Sequence, residues 1–357
     1  MIAGQDGGGG APPPFAWERR HSVPKRATIQ DVARAAGVSV TTVSRYLNGR
    51  YESMSENTRE KIAAVIAELG YRPNALAKGL KAQRTETVGA IVVNMSYPFC
   101  VGFLRAFSRT LSAAGYHLMV AESEGDAKRE RQLIESFVAN RVEAIALQTS
   151  GANNDYLEDL AREMPVVLVD RAFALRNAYA IGTNNRDASR EIAWQLFDLG
   201  YDCVVYLTED ERGIPTRTDR LEGYLDACRV ALREPVVMRV RRGDPASFRE
   251  ALARVDACAR KERTAVYTAN GLVLMECYRP LRALGHKVPD AMGIATFDQP
   301  DWADLVDPPL TCVRQPVEEM GEAAGRIITA RLRGEAVAAE VLVVPSTVVM
   351  RGSTGKG

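Results

Sequence analysis

The 357 residues exceed one ordinary domain and suit two or three. The chain is 46% hydrophobic and 25% charged with a formal net charge of +1, which excludes a uniformly basic chromatin coat and an acidic disordered chain. The charge is uneven, because residues 25–86 hold eleven Lys and Arg against six Asp and Glu. A small basic module on a larger, mildly acidic body indicates a nucleic-acid partner.

Cysteine usage and motif searches exclude several kinds of site. Six dispersed cysteines form no C-x-x-C pair and there are only three histidines, so neither a disulfide scaffold nor a metal site is expected. Neither glycine-rich nucleotide motif occurs, and we expect no cofactor. No apolar run is long enough to span a membrane and the N-terminus lacks an apolar signal-peptide core, so we expect a cytoplasmic protein.

In chain order, the Gly- and Pro-rich residues 1–24 are predicted to be a disordered tail. The next segment has apolar residues at helical spacing, namely Ile29, Val32, Ala33 and Ala36. Thr28 is a suitable N-cap for this first helix, and Gly37 is a suitable stop. The pattern predicts a helix directly after Thr28.

Two further helices follow within residues 25–72. Ser39 can cap a helix over Val40–Leu47, which Asn48-Gly49 ends. Ser55 opens a third helix, which Gly70 ends, and its predicted apolar stripe consists of Ile62, Val65, Ile66 and Leu69. Two short helices joined by a tight turn, with a third packed on them, predict a helix-turn-helix domain over 25–72.

Residues 73–86 are predicted to be a linker. They begin with Pro73-Asn74 and continue into a polar, basic stretch. A helix this short is not stable alone in water, so we expect it to form only when bound.

Residues 87–357 alternate apolar, β-branched runs with amphipathic stretches. The runs are Val88–Val93, His117–Ala121, Ala144–Leu147, Val166–Val169, Cys203–Leu207, Ala265–Tyr267 and Met292–Phe297. Helical stretches between them include Phe103–Ala114, Arg129–Ala139 and Ala188–Leu199. This alternation predicts an α/β fold with doubly wound parallel sheets covered on both faces. The region is large for one sheet, so two lobes are expected.

The run from Thr28 to Gly49 closely resembles the DNA-binding signature of lactose-repressor-type (LacI family) transcription regulators. The segments Thr58–Lys61, Leu69–Asn74 and Thr85–Gly89 continue the match in order. The resemblance implies a periplasmic-binding-protein-like sensor after the linker. It implies a first lobe of about 87–182 and 314–340 and a second lobe of about 183–313 and 341–351.

In such a regulator the second helix reads the major groove with its N-terminal residues. Val40 and Thr41 are then expected at base edges, and Arg45 projects from the same face one turn later, where it can pair with guanine. The other candidate DNA contacts carry hydroxyl or amide groups suited mainly to phosphates: Thr28, Ser39, Thr42, Ser44, Asn48 and Thr58. An alternative for Thr42 and Ser44 is an ordinary helix surface.

The resemblance also assigns a role to the linker, as a hinge helix in the minor groove. Leu80 takes the position of the wedge residue that opens a central base step. Asn74, Ala77 and Lys78 are implied on the same face. The alternative for Leu80 is packing on the lobe below.

The sensor is expected to bind its effector between the lobes, where strands end. The implied effector residues are Tyr97, Phe99, Asp170, Asn185, Arg217, Arg220, Asn270, Asp298 and Gln315. Carboxylates, amides and aromatic planes, with Trp302 a further candidate, suit a polyhydroxylated ligand. Arg171, Arg217 and Arg220 favour a sugar acid or sugar phosphate, unless Arg171 and Arg217 lie outside the cleft.

The resulting hypothesis is a DNA-binding regulator, most simply a repressor of a carbohydrate-utilisation operon. A homodimer would match a palindromic operator, and the C-terminal sequence has no Leu heptad that would build a tetramer. An exported sugar-binding protein and an enzyme are the alternatives. The basic module opposes the first, and the absence of a G-x-S-x-G elbow weakens the second.

Overall fold

The computed structural model describes residues 27–52, 54–71, 84–171, 173, 175–337 and 341–355. The chain divides into two compact units between residues 83 and 84. The predicted tail 1–24 lies outside the described residues, as does the predicted linker up to residue 83. Arg84 is part of the second unit because its guanidinium donates to Leu332 O at 2.8 Å and pairs with Glu143. The predicted linker boundary at residue 86 is therefore too late.

Among its described residues, the first unit contains three helices at the predicted positions, α1 (Ile29–Ala36), α2 (Val40–Leu47) and α3 (Glu56–Glu68). Side chains of Thr28, Ser39 and Ser55 each accept a hydrogen bond from a backbone N–H in the first turn. Thr28 and Asp31 complete a reciprocal capping box. Polar residues directly before each apolar run therefore define where the helices begin.

One small core joins the three helices. Its fully buried members are Val32, Ala33, Ala36, Val43, Ile62 and Val65. Leu69 is 38% exposed, so the predicted apolar stripe of α3 ends one turn too late. The reason is that Leu69 follows the last helical residue, where the chain turns away through Gly70.

The second unit alternates strands and helices. Its strands are β1 (Thr87–Val92), β2 (His117–Glu122), β3 (Ala144–Leu147), β4 (Val166–Val169), β5 (Tyr179–Gly182), β6 (Cys203–Thr208), β7 (Val236–Arg239), β8 (Thr264–Thr268), β9 (Met292–Phe297), β10 (Thr311–Arg314), β11 (Val341–Val343) and β12 (Thr347–Val349). Its α-helices are α4 (Pro98–Ala113), α5 (Ala127–Ala139), α6 (Asn154–Glu163), α7 (Asn185–Asp198), α8 (Pro215–Ala231), α9 (Pro245–Ala259), α10 (Gly271–Ala283) and α11 (Val317–Leu332).

The strands form two six-stranded sheets, one in each lobe. The first has the order β11-β5-β4-β3-β1-β2 and is parallel throughout. The second has the order β12-β10-β9-β8-β6-β7 and is parallel except for β12, which pairs antiparallel with β10. Central strands are buried along their whole length because helices cover both faces. The prediction of an α/β fold with parallel sheets is confirmed. The antiparallel edge strand β12 was not predicted.

Helices cover the two faces of each sheet in pairs. In the first lobe α4 and α11 pack on one face, and α5 and α6 pack on the other. In the second lobe α7 and α8 share one core, and α9 and α10 share another. No helix among the described residues is long and apolar enough to cross a bilayer.

Three short segments connect the lobes, at residues 183–184, 315–316 and 344–346. Two of them are joined side by side, because Ser346 donates its backbone N–H to Asn184 Oδ1 at 2.8 Å and its hydroxyl lies 2.5 Å from that of Thr183. The observed connections place two of the lobe boundaries at other residues than predicted. Val341–Val343 belongs to the first lobe, since it pairs with β5, and Arg314 ends a strand of the second lobe.

Candidate functional site

Helix α2 has a buried side and an exposed side. Val43 is fully buried in the core, which fixes the rotation of the helix about its axis. Val40 is 42% exposed, and Thr41 and Arg45 are exposed as well. Thr41 and Arg45 are four residues apart and therefore lie on one face. The residues predicted to read bases are thus presented together to solvent.

The predicted phosphate-contacting residues lie at helix ends, except for Ser44, which lies within α2. Ser39 and Thr42 share a hydroxyl contact of 2.9 Å at the start of α2, and Ser55 and Thr58 share one of 2.8 Å at the start of α3. Asn48 donates to Ser44 O at 2.8 Å. The side-chain groups are therefore tied to their own helix ends, which orients them.

The excess of positive charge lies before and after the three helices and not within them. Residues 27–71 contain five Lys or Arg and five Asp or Glu, so the basic excess of residues 25–86 comes from the flanking positions. The predicted hinge residues Asn74, Ala77, Lys78 and Leu80 lie outside the described residues.

In the second unit the predicted effector residues gather where the two lobes face each other. Arg220, on α8, is the most buried charge there. Its Nε donates to Asn185 Oδ1 at 2.8 Å, and its Nη1 donates to Ala269 O at 2.9 Å. Its guanidinium carbon lies 3.7 Å from the ring centroid of Phe297. Arg220 is therefore held in one orientation from three sides.

Arg220 also reaches the other lobe. Its Nη2 lies 3.9 Å from Asp170 Oδ1, and Asp170 directly follows β4 of the first lobe. Burial disfavours the charge of Arg220, but the Asp298 and Asp170 carboxylates outweigh it and raise its pKa. Burial raises the pKa of Asp170 as well, against the effects of Arg220 and Arg171. Burial therefore disfavours the ionised form of Asp170, even though two arginines are nearby.

A second contact between the lobes involves Tyr97 and Asp298. The Tyr97 hydroxyl donates to Asp298 Oδ2, and Gln315 Nε2 donates to Asp298 Oδ1 at 2.5 Å. Gly271 N–H, at the start of α10, also donates to Asp298 Oδ2 at 3.2 Å. Burial, followed by the charge of Asp298, raises the pKa of Tyr97 well above its ordinary value. Tyr97 is therefore a neutral hydroxyl donor that links the lobes.

A third cluster surrounds Glu209, which directly follows β6. Glu209 Oε2 accepts from Arg217 Nη2 at 2.9 Å and from Asn270 Nδ2 at 3.0 Å. Asn270 is also the N-cap of α10, where its side-chain oxygen accepts from Leu272 N and Val273 N. One carboxylate therefore engages two of the predicted effector residues.

Two residues of the site have left-handed backbone, Asp170 at φ 65° and Asp298 at φ 74°. Each follows a strand, in β4 and β9 respectively, and each turns its carboxylate toward the cleft. Asp is among the few residues other than Gly that visit this region readily. Non-glycine residues in such a conformation concentrate at functional sites.

Two adjoining cavities lie at these residues. One has a volume of about 80 Å³ and is lined by Asp170, Arg171, Glu209, Arg217, Arg220 and Asn270 among others. A larger groove of about 800 Å³ is lined by Val101, Met275, Trp302 and Arg314 among others. Tyr97, Phe99 and Gln315 line both. Four of the predicted effector residues, Asp170, Arg217, Arg220 and Asn270, line the smaller cavity and not the larger groove, so we take it as the candidate effector site.

Two aromatic residues that were predicted to contact the effector, Phe99 and Trp302, have other surroundings in the structure. Phe99 is 5% exposed and belongs to the core of the first lobe, with its ring centroid 6.3 Å from that of Tyr97. Trp302 lines the larger groove and packs against Tyr278 at 5.1 Å. Trp302 therefore does not line the smaller cavity with its four arginines, because it lies in the loop after β9, along the larger groove.

Sequence reasoning missed Gln148, Glu209 and Arg242 at this site. Gln148 Nε2 lies 3.4 Å from Asp170 Oδ2, and its Oε1 accepts from Val93 N at 3.2 Å. Gln148 and Glu209 each directly follow a parallel strand. The rule that found Asp170 and Asp298, that ligands bind at the carboxyl ends of strands, would have found both had it been applied to every strand.

Two family models match the chain, in agreement with this division. Residues 28–74 match "Bacterial regulatory proteins, lacI family", and residues 193–354 match "Periplasmic binding protein-like domain". Among solved structures, the lac repressor dimer bound to operator and the anti-inducer ONPF superposes with a TM-score of 0.79 at 22% identity, covering 92% of this chain and 99% of that one. The transcriptional regulator CelR in complex with cellobiose gives a TM-score of 0.65 at 26% identity, covering 92% and 100%.

Relatives resemble the chain over nearly its full length. The HTH-type transcriptional regulator KdgR of Bacillus subtilis (strain 168) is 30% identical over 329 residues, 91% of this chain and 97% of its own. The HTH-type transcriptional regulator PtxS of Pseudomonas plecoglossicida is 33% identical over 331 residues, 92% and 96% respectively. These relatives are transcriptional regulators, which confirms the choice of a regulator over an enzyme or an exported binding protein. The chain belongs to the LacI family of bacterial DNA-binding transcriptional regulators.

Proposed function

We propose that this regulator represses a carbohydrate-utilisation operon, and that a sugar or sugar acid bound between the lobes controls its affinity for a palindromic operator. The observation that carries the DNA side is the orientation of α2. Val43 is buried, while Thr41 and Arg45 face solvent together. A helix anchored in this way presents donors and a guanidinium to the major groove.

The base-reading role falls on Val40, Thr41 and Arg45. Arg45 can donate two hydrogen bonds to one guanine, and Val40 offers an apolar surface for a thymine methyl. Thr28, Ser39, Thr42, Ser44, Asn48 and Thr58 are proposed as the backbone-positioning groups. The placement of Thr28, Ser39, Thr42 and Thr58 at helix starts supports this for those four, because helix N-termini attract phosphate. Ser44 lies within α2 and Asn48 is its C-cap. Asn74, Ala77, Lys78 and Leu80 remain predicted hinge contacts.

The effector role falls on the charged and amide side chains of the smaller cavity. Asp170, Arg217, Arg220, Asn270 and Gln315 line this cavity together with Tyr97 and Phe99, and Asn185 and Asp298 are hydrogen-bonded to Arg220 and Gln315, respectively. Such a set suits the hydroxyl groups of a sugar. A ribose operon repressor of Haemophilus influenzae, 27% identical over 332 residues, is among the relatives and is consistent with a carbohydrate effector.

Helix α11 supplies a route from the cleft to the linker. It begins at Val317, two residues after Gln315, which contacts Asp298 in the cleft. It ends at Leu332, whose carbonyl accepts from Arg84 at the start of the second unit. Its 16 residues span about 24 Å. A shift of α11 on closure of the lobes would therefore move the attachment point of the linker.

Two subunits are required to grip two half-sites, so we propose a homodimer. Effector binding would then change the separation of the two linkers and with it the operator affinity. Coupling of this kind is typically about 1–3 kcal/mol per effector.

The test is selection of operator DNA from a random duplex library, followed by fluorescence-anisotropy titration with and without candidate sugars. Arg45→Ala is expected to lower specific affinity roughly 10-fold or more and to relax one base preference. Arg34→Ala, an equal loss of charge from an exposed position on α1, is the control. Enrichment of no duplex sequence, or unchanged specificity in Arg45→Ala, would refute the proposal.

A further inference from the structure

The smaller cavity carries an excess of positive charge. Its lining contains four arginines, Arg171, Arg217, Arg220 and Arg242, and two acids, Asp170 and Glu209, while Arg242 is also paired with Glu276 at 3.4 Å. A neutral polyol needs hydrogen-bonding groups but gains little from a surplus of cations. Arginines in a desolvated cleft favour a planar anion such as a carboxylate.

Arg171 is the arginine that the first lobe contributes to this lining. It directly follows Asp170 in the first lobe, is half-buried, and donates to Thr149 O at 3.2 Å. A carbonyl carries no net charge, and within the described part of the chain Arg171 forms no ion pair. Burial lowers the pKa of Arg171 and the Arg217 charge acts in the same direction, against the opposing effect of Asp170 and the smaller ones of Glu130 and Glu209. An anion beside Arg171 would relieve both effects.

Arg217, in the second lobe, has an internal partner. Glu209 Oε2 accepts from both Arg217 Nη2 and Asn270 Nδ2, at 2.9 and 3.0 Å. An arginine and an amide converging on one oxygen form the environment that a bound carboxylate requires. The protein's own side chain fills that position here, and 15% of the Glu209 side chain is exposed.

The smaller cavity as it stands is too small for a sugar. About 80 Å³ is well below the roughly 300 Å³ that small-molecule sites usually provide, so a sugar-sized ligand enters only when the lobes or side chains move. Removing Glu209 without a replacement would leave Arg217 without its carboxylate in a partly buried site, which is costly. A ligand carboxylate can replace Glu209 on Arg217 and at the same time reach Arg171 across the cleft.

We infer that the effector is a carboxylate, whose acid group binds between Arg171 and Arg217 in place of the Glu209 side chain. This inference rests on the proposed effector role of the cleft. The acid group then bridges one arginine of each lobe and draws the lobes together. Glu209 raises the ligand concentration that is needed for binding, because it competes with the ligand for Arg217 and Asn270.

The experiment uses the full chain and acetate as the probe, with sodium chloride adjusted to keep the ionic strength constant. The readout is the thermal unfolding midpoint of the second unit. Glu209→Gln removes the internal anion and is expected to bind acetate roughly 10-fold more tightly than the wild type, with no shift from acetamide. If Glu209→Gln does not fold, Glu209→Asp withdraws the carboxylate by one methylene and tests the same exchange.

Arg171→Gln, placed in the Glu209→Gln background, is expected to abolish the acetate shift. Arg176→Gln is the control, since it removes a first-lobe arginine whose side chain is 89% exposed. Equal acetate binding by wild type and Glu209→Gln, or a shift that survives Arg171→Gln, would overturn the inference. A larger response to inorganic phosphate than to acetate would overturn its assignment to a carboxylate.

A second comparison uses D-gluconate and D-glucitol, which differ only in whether C1 is a carboxylate or an alcohol. The acid is expected to bind at least roughly 10-fold more tightly in calorimetric titrations, and Arg171→Gln is expected to remove the difference. Equal binding of the two would contradict the inference. Operator binding is measured in parallel, and its absence in the wild type would refute the proposed function without changing the acetate result.

Discussion

Asn185 Oδ1 accepts a hydrogen bond from Arg220 Nε at 2.8 Å, and both side chains are at least nine-tenths buried. Asn185 begins α7 directly after a crossing between the lobes, whereas Arg220 lies on α8. The contact therefore ties the hinge region to the guanidinium that faces Asp170. It fixes the orientation of the guanidinium, whose positive charge is stabilised by the Asp298 and Asp170 carboxylates.

The first prediction concerns this pair. Arg220→Lys keeps a positive charge but loses the planar fork that reaches Asn185 and Ala269 O together, so we expect effector affinity to fall roughly 10-fold or more. Operator affinity without effector should remain within about twofold of wild type, because the first unit is unaltered. Anisotropy titrations with and without effector measure both. Arg229→Lys, at a 64% exposed side chain of the same helix, is the control.

A second prediction tests the route through α11. Arg84→Ala removes the contacts to Leu332 O and Glu143, and we expect the effector to bind with nearly wild-type affinity while its effect on operator affinity shrinks severalfold. Calorimetry measures effector binding, and anisotropy measures the change in operator affinity. Arg162→Ala removes an exposed ion pair within α6, with Asp159, and serves as the control. Undiminished coupling in Arg84→Ala would show that α11 does not carry the signal.

The third prediction follows from the raised pKa of Asp170. A carboxyl group with a raised pKa binds its proton more tightly in the folded state, so its contribution to the free energy of unfolding falls as pH rises past its ordinary pKa and through the raised one. Asp170→Asn removes this loss, and Asn also tolerates the left-handed backbone at φ 65°. The variant should therefore gain more stability, relative to wild type, at pH 7.5 than at pH 4.

Thermal unfolding at the two pH values measures the effect of Asp170→Asn. Asp159→Asn, in a 71% exposed side chain of the same lobe, is expected to change the unfolding midpoint little at either pH. A gain that is the same at both pH values would mean that ionisation of Asp170 does not cost stability.

The fourth prediction concerns the contact of α11 with α4. A Cβ added at Gly321 would lie 2.5 Å from Phe103 O and 3.0 Å from Phe107 N, so the two helices would have to separate. We expect Gly321→Ala to lower the free energy of unfolding by about 1–3 kcal/mol. At Gly102 the added Cβ would meet only the side chain of Val317, at 2.7 Å, which can rotate away. Gly102→Ala should therefore cost less, as measured by denaturant unfolding of the full chain.

Much of the local structure was predictable because it depends on neighbours along the chain. Thr28, Ser39 and Ser55 precede apolar residues at helical spacing, and each caps a helix in the structure. The apolar, β-branched runs predicted most of the central strands for the same reason. Short edge strands such as Val236–Arg239 were not predicted, since only one side of an edge strand is paired and its pattern is weak.

The candidate site was predictable in part. Asp170 and Asp298 follow central strands, so the rule on strand ends locates them without coordinates. Their partners do not follow from that rule. Nothing local to Glu209 indicates that it shares an oxygen with Arg217 and Asn270, because Asn270 lies 61 residues away along the chain.

By itself, the order of residues determined the helix-turn-helix module, the helix caps, the α/β alternation and the family. Only the tertiary structure decided that Val341–Val343 completes the first sheet and that Arg84 contacts Leu332, 248 residues later. The physical reason is the separation along the chain of the residues that interact. Capping and periodicity arise within one or two turns of chain, whereas ion pairs across a cleft depend on strand order and on how the lobes meet.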